Sequence, residues 1–161
     1  MALVGRVAQI NVSAGGVPKR SVPQAQVTLA GLSGDRQRNL KFHGGPDRAL
    51  CLWSLEVIES LRVEGHPIAP GSAGENLTLA GLDWTVLGPG HQLQLGEQVW
   101  IEITDYAPPC RTVMRWFRDR RYSRISQRHY PGSSRLYARV LQPGALAAGD
   151  RALLTLDNGP L

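Results

Sequence analysis

The sequence has only two cysteines among its 161 residues, Cys51 and Cys110, and no stretch of about eighteen apolar residues uninterrupted by charge. The first scarcity argues against a disulfide framework or an iron–sulfur cluster, and in a chain of this size points to free thiols in a reducing compartment. The second excludes a membrane-spanning helix. His43, His66, His91 and His129 have no spacing with the cysteines that would make a zinc site. No serine lies in a Gly-x-Ser-x-Gly elbow, and no glycine-rich loop of the phosphate-loop kind is present, so acyl transfer and the commonest nucleotide site drop out. Met1 to Ile10 carries Arg6 inside its apolar stretch with no small-residue cleavage site after it, so we expect a cytoplasmic protein without a signal peptide.

What is present suits one domain over residues 1–161: hydrophobic residues make up 42% and charged residues 19%, enough to bury a core without staples. Eighteen glycines and eleven prolines break the chain too often for long helices and tilt it towards a β-rich barrel. The net charge is +5, and the excess is concentrated. Between Arg111 and Arg139 all the cations are arginines, opposed by Asp119 alone. Either an anion approaches this stretch or it is a solvated basic face.

Strands are predicted over Val4 to Val12, Gln26 to Leu29, Ala49 to Trp53, Asn76 to Leu79, Trp84 to Leu87, Leu136 to Leu141 and Ala152 to Leu156. A hairpin is predicted from Gln92 to Leu95 and Gln98 to Thr104 around Gly96-Glu97. Ser54 is placed to cap a helix over Leu55 to Glu64 with Leu55, Ile58 and Leu61 on one face. Leu32 to Gly45 reads as a loop.

Cys110 is the most informative residue. Pro108 and Pro109 fix the approach of the chain, and Arg111 follows at a helix start that Val113, Trp116 and Phe117 would pack. Lowering a thiol pKa by about two units takes roughly 2.7 kcal/mol, and a helix N-terminus gives up to about 2 kcal/mol, so dipole plus Arg111 nearly suffices. A buried, inert cysteine is the competing reading, and it suits Cys51 well. In Lys41-Phe42-His43-Gly44-Gly45-Pro46-Asp47-Arg48, paired glycines allow backbone amides to turn towards an anion, although a plain turn would look similar. Gly34-Asp35-Arg36 and Gly74-Glu75-Asn76 read by default as turns with satisfied local salt bridges.

In order along the chain, Gly31 to Arg36, Phe42 to Ala49, Gly71 to Leu77, Pro109-Cys110-Arg111 and Gly149-Asp150 together resemble the MOSC family, that of the molybdenum cofactor sulfurase C-terminal domain, in its stand-alone bacterial form. The resemblance implies a mainly β domain on a closed or nearly closed, pyruvate-kinase-barrel-like barrel with a few short helices. It also implies a molybdopterin-type cofactor whose metal is held by Cys110, which is then the catalytic residue. Arg36, Lys41, His43, Gly44, Gly45, Asp47, Arg48, Asn76 and Arg111 fall in the motifs that would bind that cofactor.

Characterised relatives reduce N-hydroxylated bases and related N-oxygenated compounds. The implied partners are a small-molecule substrate and a separate electron-donating reductase, since no flavin or cluster motif is present. The alternative within the resemblance is a non-redox sulfur or cofactor carrier. From another class comes a nucleic-acid module that uses the arginine stretch with Trp116, Phe117, Tyr122 and Tyr130 for stacking, although Trp116 and Phe117 are better explained as a packed helix face. A stable nucleic-acid complex is therefore not expected, and neither is membrane association.

Overall fold

Alternating apolar residues on short strands, each ended by a glycine or proline turn, leave one face of every strand to be buried, and curling the sheet closed buries all of them together. In the computed structural model, which describes residues 3–36 and 45–155, seven strands do this. They are β1 (Val4–Val12), β5 (Leu50–Ser54), β6 (Leu77–Ala80), β7 (Gln92–Leu95), β8 (Val99–Tyr106), β9 (Leu136–Gln142) and β11 (Arg151–Thr155). Around the barrel the order is β1, β6, β5, β9, β8, β7, β11, and β11 pairs back onto β1 with Val4 opposite Leu153. A short strand, β2 (Arg20–Val22), extends β1, while β3 (Gln24–Thr28), β4 (Gly31–Leu32) and β10 (Gly144–Ala147) form a small second sheet.

The barrel is filled by Val7, Ile10, Leu52, Leu79, Leu93 and Ile101, all essentially inaccessible to water. Each such side chain stabilises the fold by about 1.5–3 kcal/mol. Among the ladders of the described residues, only β5 with β6 is parallel, and the connection it needs is supplied by helix α1 (Leu55–Val63). The hydroxyl of Ser54 accepts the Val57 amide at the helix start, while Ile58 and Leu61 face inward as their spacing predicts. This helix is too short and too polar to cross a membrane, and no other helix of the described residues is long and apolar enough to do so.

Two segments differ from the sequence reading. Trp84 to Leu87 is a turn, not a strand: the Asp83 carboxylate accepts the Thr85 amide and hydroxyl, and Trp84 and Leu87 are driven into the core as plugs. Gly144–Ala147 is a strand where only a Pro-Gly turn is predicted, because β3 supplies its partner across the chain. Only the second outcome depends on a partner distant in the chain.

Candidate functional site

The site is assembled where β8 runs out. After Tyr106 the chain pairs once more, Ala107 donating its amide to the Arg135 carbonyl, and then the two prolines turn it away to Cys110. Four short 3₁₀ helices lie near this end of the barrel: η1 (Pro46–Arg48), η2 (Arg111–Trp116), η3 (Arg118–Arg120) and η4 (Tyr122–Ile125). Cys110 is the extended residue preceding η2 and is half-buried.

The thiol of Cys110 is held below its ordinary pKa. Partial burial alone would raise it; the Thr112 hydroxyl, which donates to Sγ at 3.2 Å, the Thr112 amide and the Arg135 guanidinium together outweigh that. The predicted source of thiolate stabilisation, a helix dipole with Arg111, is therefore corrected. The helix is a single short 3₁₀ segment with little dipole, and Arg111 points into solvent. Cys51 is the opposite case: it is buried on β5, and desolvation pushes its thiol up to about 11.

Arg135 is 5% exposed and braces the site. Its Nη1 donates to the Ala73 carbonyl and its Nη2 to the Pro108 carbonyl, both at 2.8 Å, which joins the 71–76 turn to the cysteine turn. Its Nε is buried with no protein acceptor. Tyr137, directly across from Cys51 in the β5–β9 ladder, links the rest. The Arg48 guanidinium lies 4.9 Å from its ring centroid, and its hydroxyl is pushed up to about 12 by burial first and then by the two cysteines, against the pull of Arg135 and Arg48. Arg48, Cys51, Arg135 and Cys110 thus surround one tyrosine closely enough to feel its charge.

Behind this group runs a buried polar chain. Asp35 forms an ion pair with Lys19 at 2.5 Å, both side chains 6% exposed, and accepts the Ser13 amide and one amide hydrogen of Asn76. Asn76 also binds the backbone of Cys51 on both sides, through its carbonyl oxygen to the Cys51 amide and through its own amide to the Cys51 carbonyl. The Asp35 partner is thus Lys19, across the barrel rim, and not a neighbour such as Arg36. Asn76 is occupied on both ends by the protein, so it acts as a brace for β5 and not as an open ligand group.

Of the remaining residues in the motifs, Lys41, His43 and Gly44 lie outside the described residues. Gly45 is exposed with φ 94°, a left-handed geometry that favours glycine, and leads into η1. Asp47 is exposed and 3.5 Å from Arg139, while Arg36 is exposed beside Ser13, whose carbonyl its amide binds. Arg36, Gly45, Asp47 and Arg111 are thus open to an approaching ligand. His66 and His91 instead accept backbone amides of Arg118 and Gly88. Among the described residues no three His, Cys, Asp or Glu side chains converge on a metal-sized space, so a metal here needs ligands brought by a cofactor. A polar cleft lined by Gln94, Glu97, Gln98 and Arg151 includes neither cysteine.

Sequence reasoning missed Arg135, Lys19 and Thr112 as site residues. Arg135 was one arginine of a run, and Lys19 is a long way from its partner in the chain; only Thr112, two residues after Cys110, carried a local signal.

Comparison with known proteins bears on the family and the fold. Residues 39–152 match the model of the MOSC domain. The chain is 30% identical to the uncharacterized protein YflK of Bacillus subtilis over 137 residues, 83% of this chain and 60% of that protein. It is 35% identical to protein YiiM of Escherichia coli over 95 residues, 54% of this chain and 40% of that protein. The chain therefore spans well under two thirds of the length of each. Among solved structures, the YUAD protein from Bacillus subtilis superposes with a TM-score of 0.78 at 18% identity, covering 96% of this chain and 97% of that one. YiiM from Geobacillus stearothermophilus gives 0.72 at 22% identity, covering 94% and 75%. These last two likenesses establish the fold.

Proposed function

This chain belongs to the MOSC domain family, and from that premise we propose that it binds a molybdopterin-type cofactor through Cys110 and reduces N-hydroxylated bases or related N-oxygenated compounds. The observation that carries the reading is the Cys110 sulfur itself: half-buried, reachable, and held towards its ionised form by Thr112 and Arg135. A soft thiolate suits a redox-active metal. Arg36, Arg48 and Arg111, with the amides near Gly45, suit a phosphate-bearing pterin, because guanidinium forks and backbone N–H groups are the donors that such an anion takes. The buried Arg135 Nε, lacking a protein acceptor, adds a further donor at the same end of the barrel.

Bound there, the cofactor supplies a two-electron redox centre. The chain's own residues fix the sulfur: Arg135 clamps the Pro108 carbonyl, and Thr112 holds Sγ against rotation. Reducing an N–OH group to N–H breaks the N–O bond and releases the oxygen as water. It consumes two electrons and two protons, the electrons from a separate reductase, since two cysteines are too few for a cluster of the chain's own.

Purified protein reconstituted with cofactor and a reductase is expected to hold about one molybdenum per chain, as a single thiolate ligand allows, and to convert hydroxylaminopurine to aminopurine. Cys110→Ser is expected to lose both. Unchanged turnover in that variant overturns the assignment of Cys110; metal binding with no reduction of any N-oxygenated substrate favours the sulfur or cofactor carrier instead.

A further inference from the structure

Most of the charge in the 111–128 segment is unopposed. Arg124 is spent on Glu64, gripping both carboxylate oxygens at 2.9 and 2.7 Å. Arg111, Arg115, Arg118, Arg120, Arg121 and Arg128 are all exposed, and among the described residues no carboxylate lies within ion-pairing distance of any of them. Arg111 and Arg115 sit on η2, Arg118 and Arg120 on η3, Arg121 in the link to η4 and Arg128 just after η4, and η2 is packed against both η3 and η4, so these charges share one region of the surface. Exposed, unpaired cations of one sign on one face set up a positive field that attracts an anionic surface and weakens as salt is added. The backbone is itself strained there: Asp119 and Arg120 take left-handed φ values of 56° and 58° in succession. Such geometry in residues other than glycine costs about 1–3 kcal/mol each and gathers at ligand-contacting sites. The patch begins at Arg111, the residue after Cys110.

We infer that this patch is the docking surface for an acidic electron-carrier protein, an inference that rests on the reductase reading above. Charge complementarity selects the partner class, and position selects its role: a donor seated on η2 to η4 sits beside the rim at Cys110. Transient electron-transfer contacts are small and steered by charge, which an arginine patch without a large apolar centre suits. The same patch fits a nucleic acid less well, because most of its aromatic rings are already engaged. Phe117 is buried, Trp116 and Tyr122 pack against the core, and the Arg115 guanidinium lies 4.6 Å from the Trp116 ring centroid, so of these rings only Tyr130, with Arg124 4.5 Å from its centroid, is exposed to a base. In each turnover the carrier's reduced flavin is oxidised by two electrons, which with two protons from solvent convert substrate N–OH to N–H and water.

The probe is a reduced flavodoxin of net negative charge. Its binding to the full chain is measured at low and high ionic strength, and turnover of hydroxylaminopurine is followed with flavodoxin or with dithionite as sole reductant. The triple variant Arg120→Glu, Arg121→Glu, Arg128→Glu is compared with a control of equal charge change, Arg6→Glu, Arg20→Glu, Arg151→Glu, placed on β1, β2 and β11. The patch triple is expected to bind flavodoxin about tenfold or more weakly at low salt and to lose flavodoxin-driven turnover in proportion, with dithionite-driven turnover unchanged. The control triple is expected to lose much less. Should the glutamate triple not fold, the same three positions changed to Gln are expected to give a smaller loss in the same direction. Equal losses in patch and control, or undiminished binding in the patch variants, overturn the proposal. So does a single-stranded oligonucleotide that binds the patch more tightly than flavodoxin does. Absence of dithionite-driven turnover in all proteins, by contrast, defeats the reductase reading and leaves the binding comparison to judge the surface.

Discussion

The buried guanidinium of Arg135 holds the carbonyl of Pro108 at 2.8 Å, two residues before Cys110, so the residue that leads into β9 sets where the cysteine turn leaves the barrel. The second nitrogen of the fork holds Ala73 at the same distance. Charge-assisted hydrogen bonds of this kind contribute about 1.5–3 kcal/mol each, and their loss strands the buried Ala73 carbonyl while leaving the part-buried Pro108 carbonyl to water. Arg135→Met is therefore expected to destabilise the fold by about 3 kcal/mol in urea titration, while Arg135→Lys, which lacks the fork, recovers only part of it. A loss below about 1 kcal/mol would show that water replaces the fork and that Arg135 braces nothing.

Cys110 and Cys51 should react at very different rates. With its thiol held down by Thr112 and Arg135, Cys110 is expected to be alkylated by iodoacetamide at neutral pH, whereas Cys51, buried and pushed up to about 11, is expected to stay unmodified while the chain is folded. Thr112→Val removes the hydroxyl that donates to Sγ. It is expected to slow Cys110 alkylation about threefold or more at neutral pH and to shift its pH profile upward, since a bond worth about 1.5 kcal/mol changes the thiolate fraction about tenfold and the more basic thiolate that remains reacts faster, offsetting part of the loss. Mass spectrometry of the two cysteine peptides reads this directly, and an unchanged rate removes Thr112 from the account.

Asp35 and Lys19 form a pair that is buried on both sides. Removing either partner leaves a charge without its counter-ion in a low-dielectric setting, which typically costs about 3–5 kcal/mol. Asp35→Ala also releases the Ser13 amide and the Asn76 side chain, so it is expected to be the more damaging of the two singles. With Lys19→Met as the other arm, a double-mutant cycle is expected to give a coupling of about 2 kcal/mol or more. Additive losses would mean that the pair contributes nothing beyond its separate contacts.

Much of the barrel could be read from the chain because its signals are local. The strand from Val4 to Val12, the Ser54 cap and the Gly96-Glu97 hairpin turn each rest on signals within a few residues, and each is where the sequence places it. Trp84 to Leu87 misled for the same reason: a short run of apolar and β-branched residues in a turn imitates a strand, and the Asp83 side chain distinguishes the two. The site was legible at Cys110, whose prolines are adjacent to it, and in the motifs shared with the MOSC family. What positions the sulfur was not. Lys19 meets Asp35, and Arg135 meets Ala73 and Pro108, only once strands distant in sequence have been brought to one end of the barrel, and no periodicity announces such meetings.

Glu75 supplies a prediction in pH. Its side chain is fully buried: Oε2 accepts the Thr78 hydroxyl, while Oε1 makes no hydrogen bond. Burial raises the carboxyl to about 7, against the opposing pull of nearby backbone at Gly71 and Glu75, Thr78 and Arg135. In the unfolded chain a glutamate titrates near 4.3, so between about 4.3 and 7 the folded state holds the extra proton. Stability therefore falls as pH rises through that window and levels off above it, by up to about 4 kcal/mol from this group alone. Glu75→Gln keeps the shape without the charge and removes the effect. Relative to the parent protein, the variant is expected to gain stability from pH 5 to pH 8 in urea titrations. Parallel curves across that range would mean that Glu75 stays ionised in the fold, held so by the Arg135 guanidinium, and that the two buried groups form a charged pair.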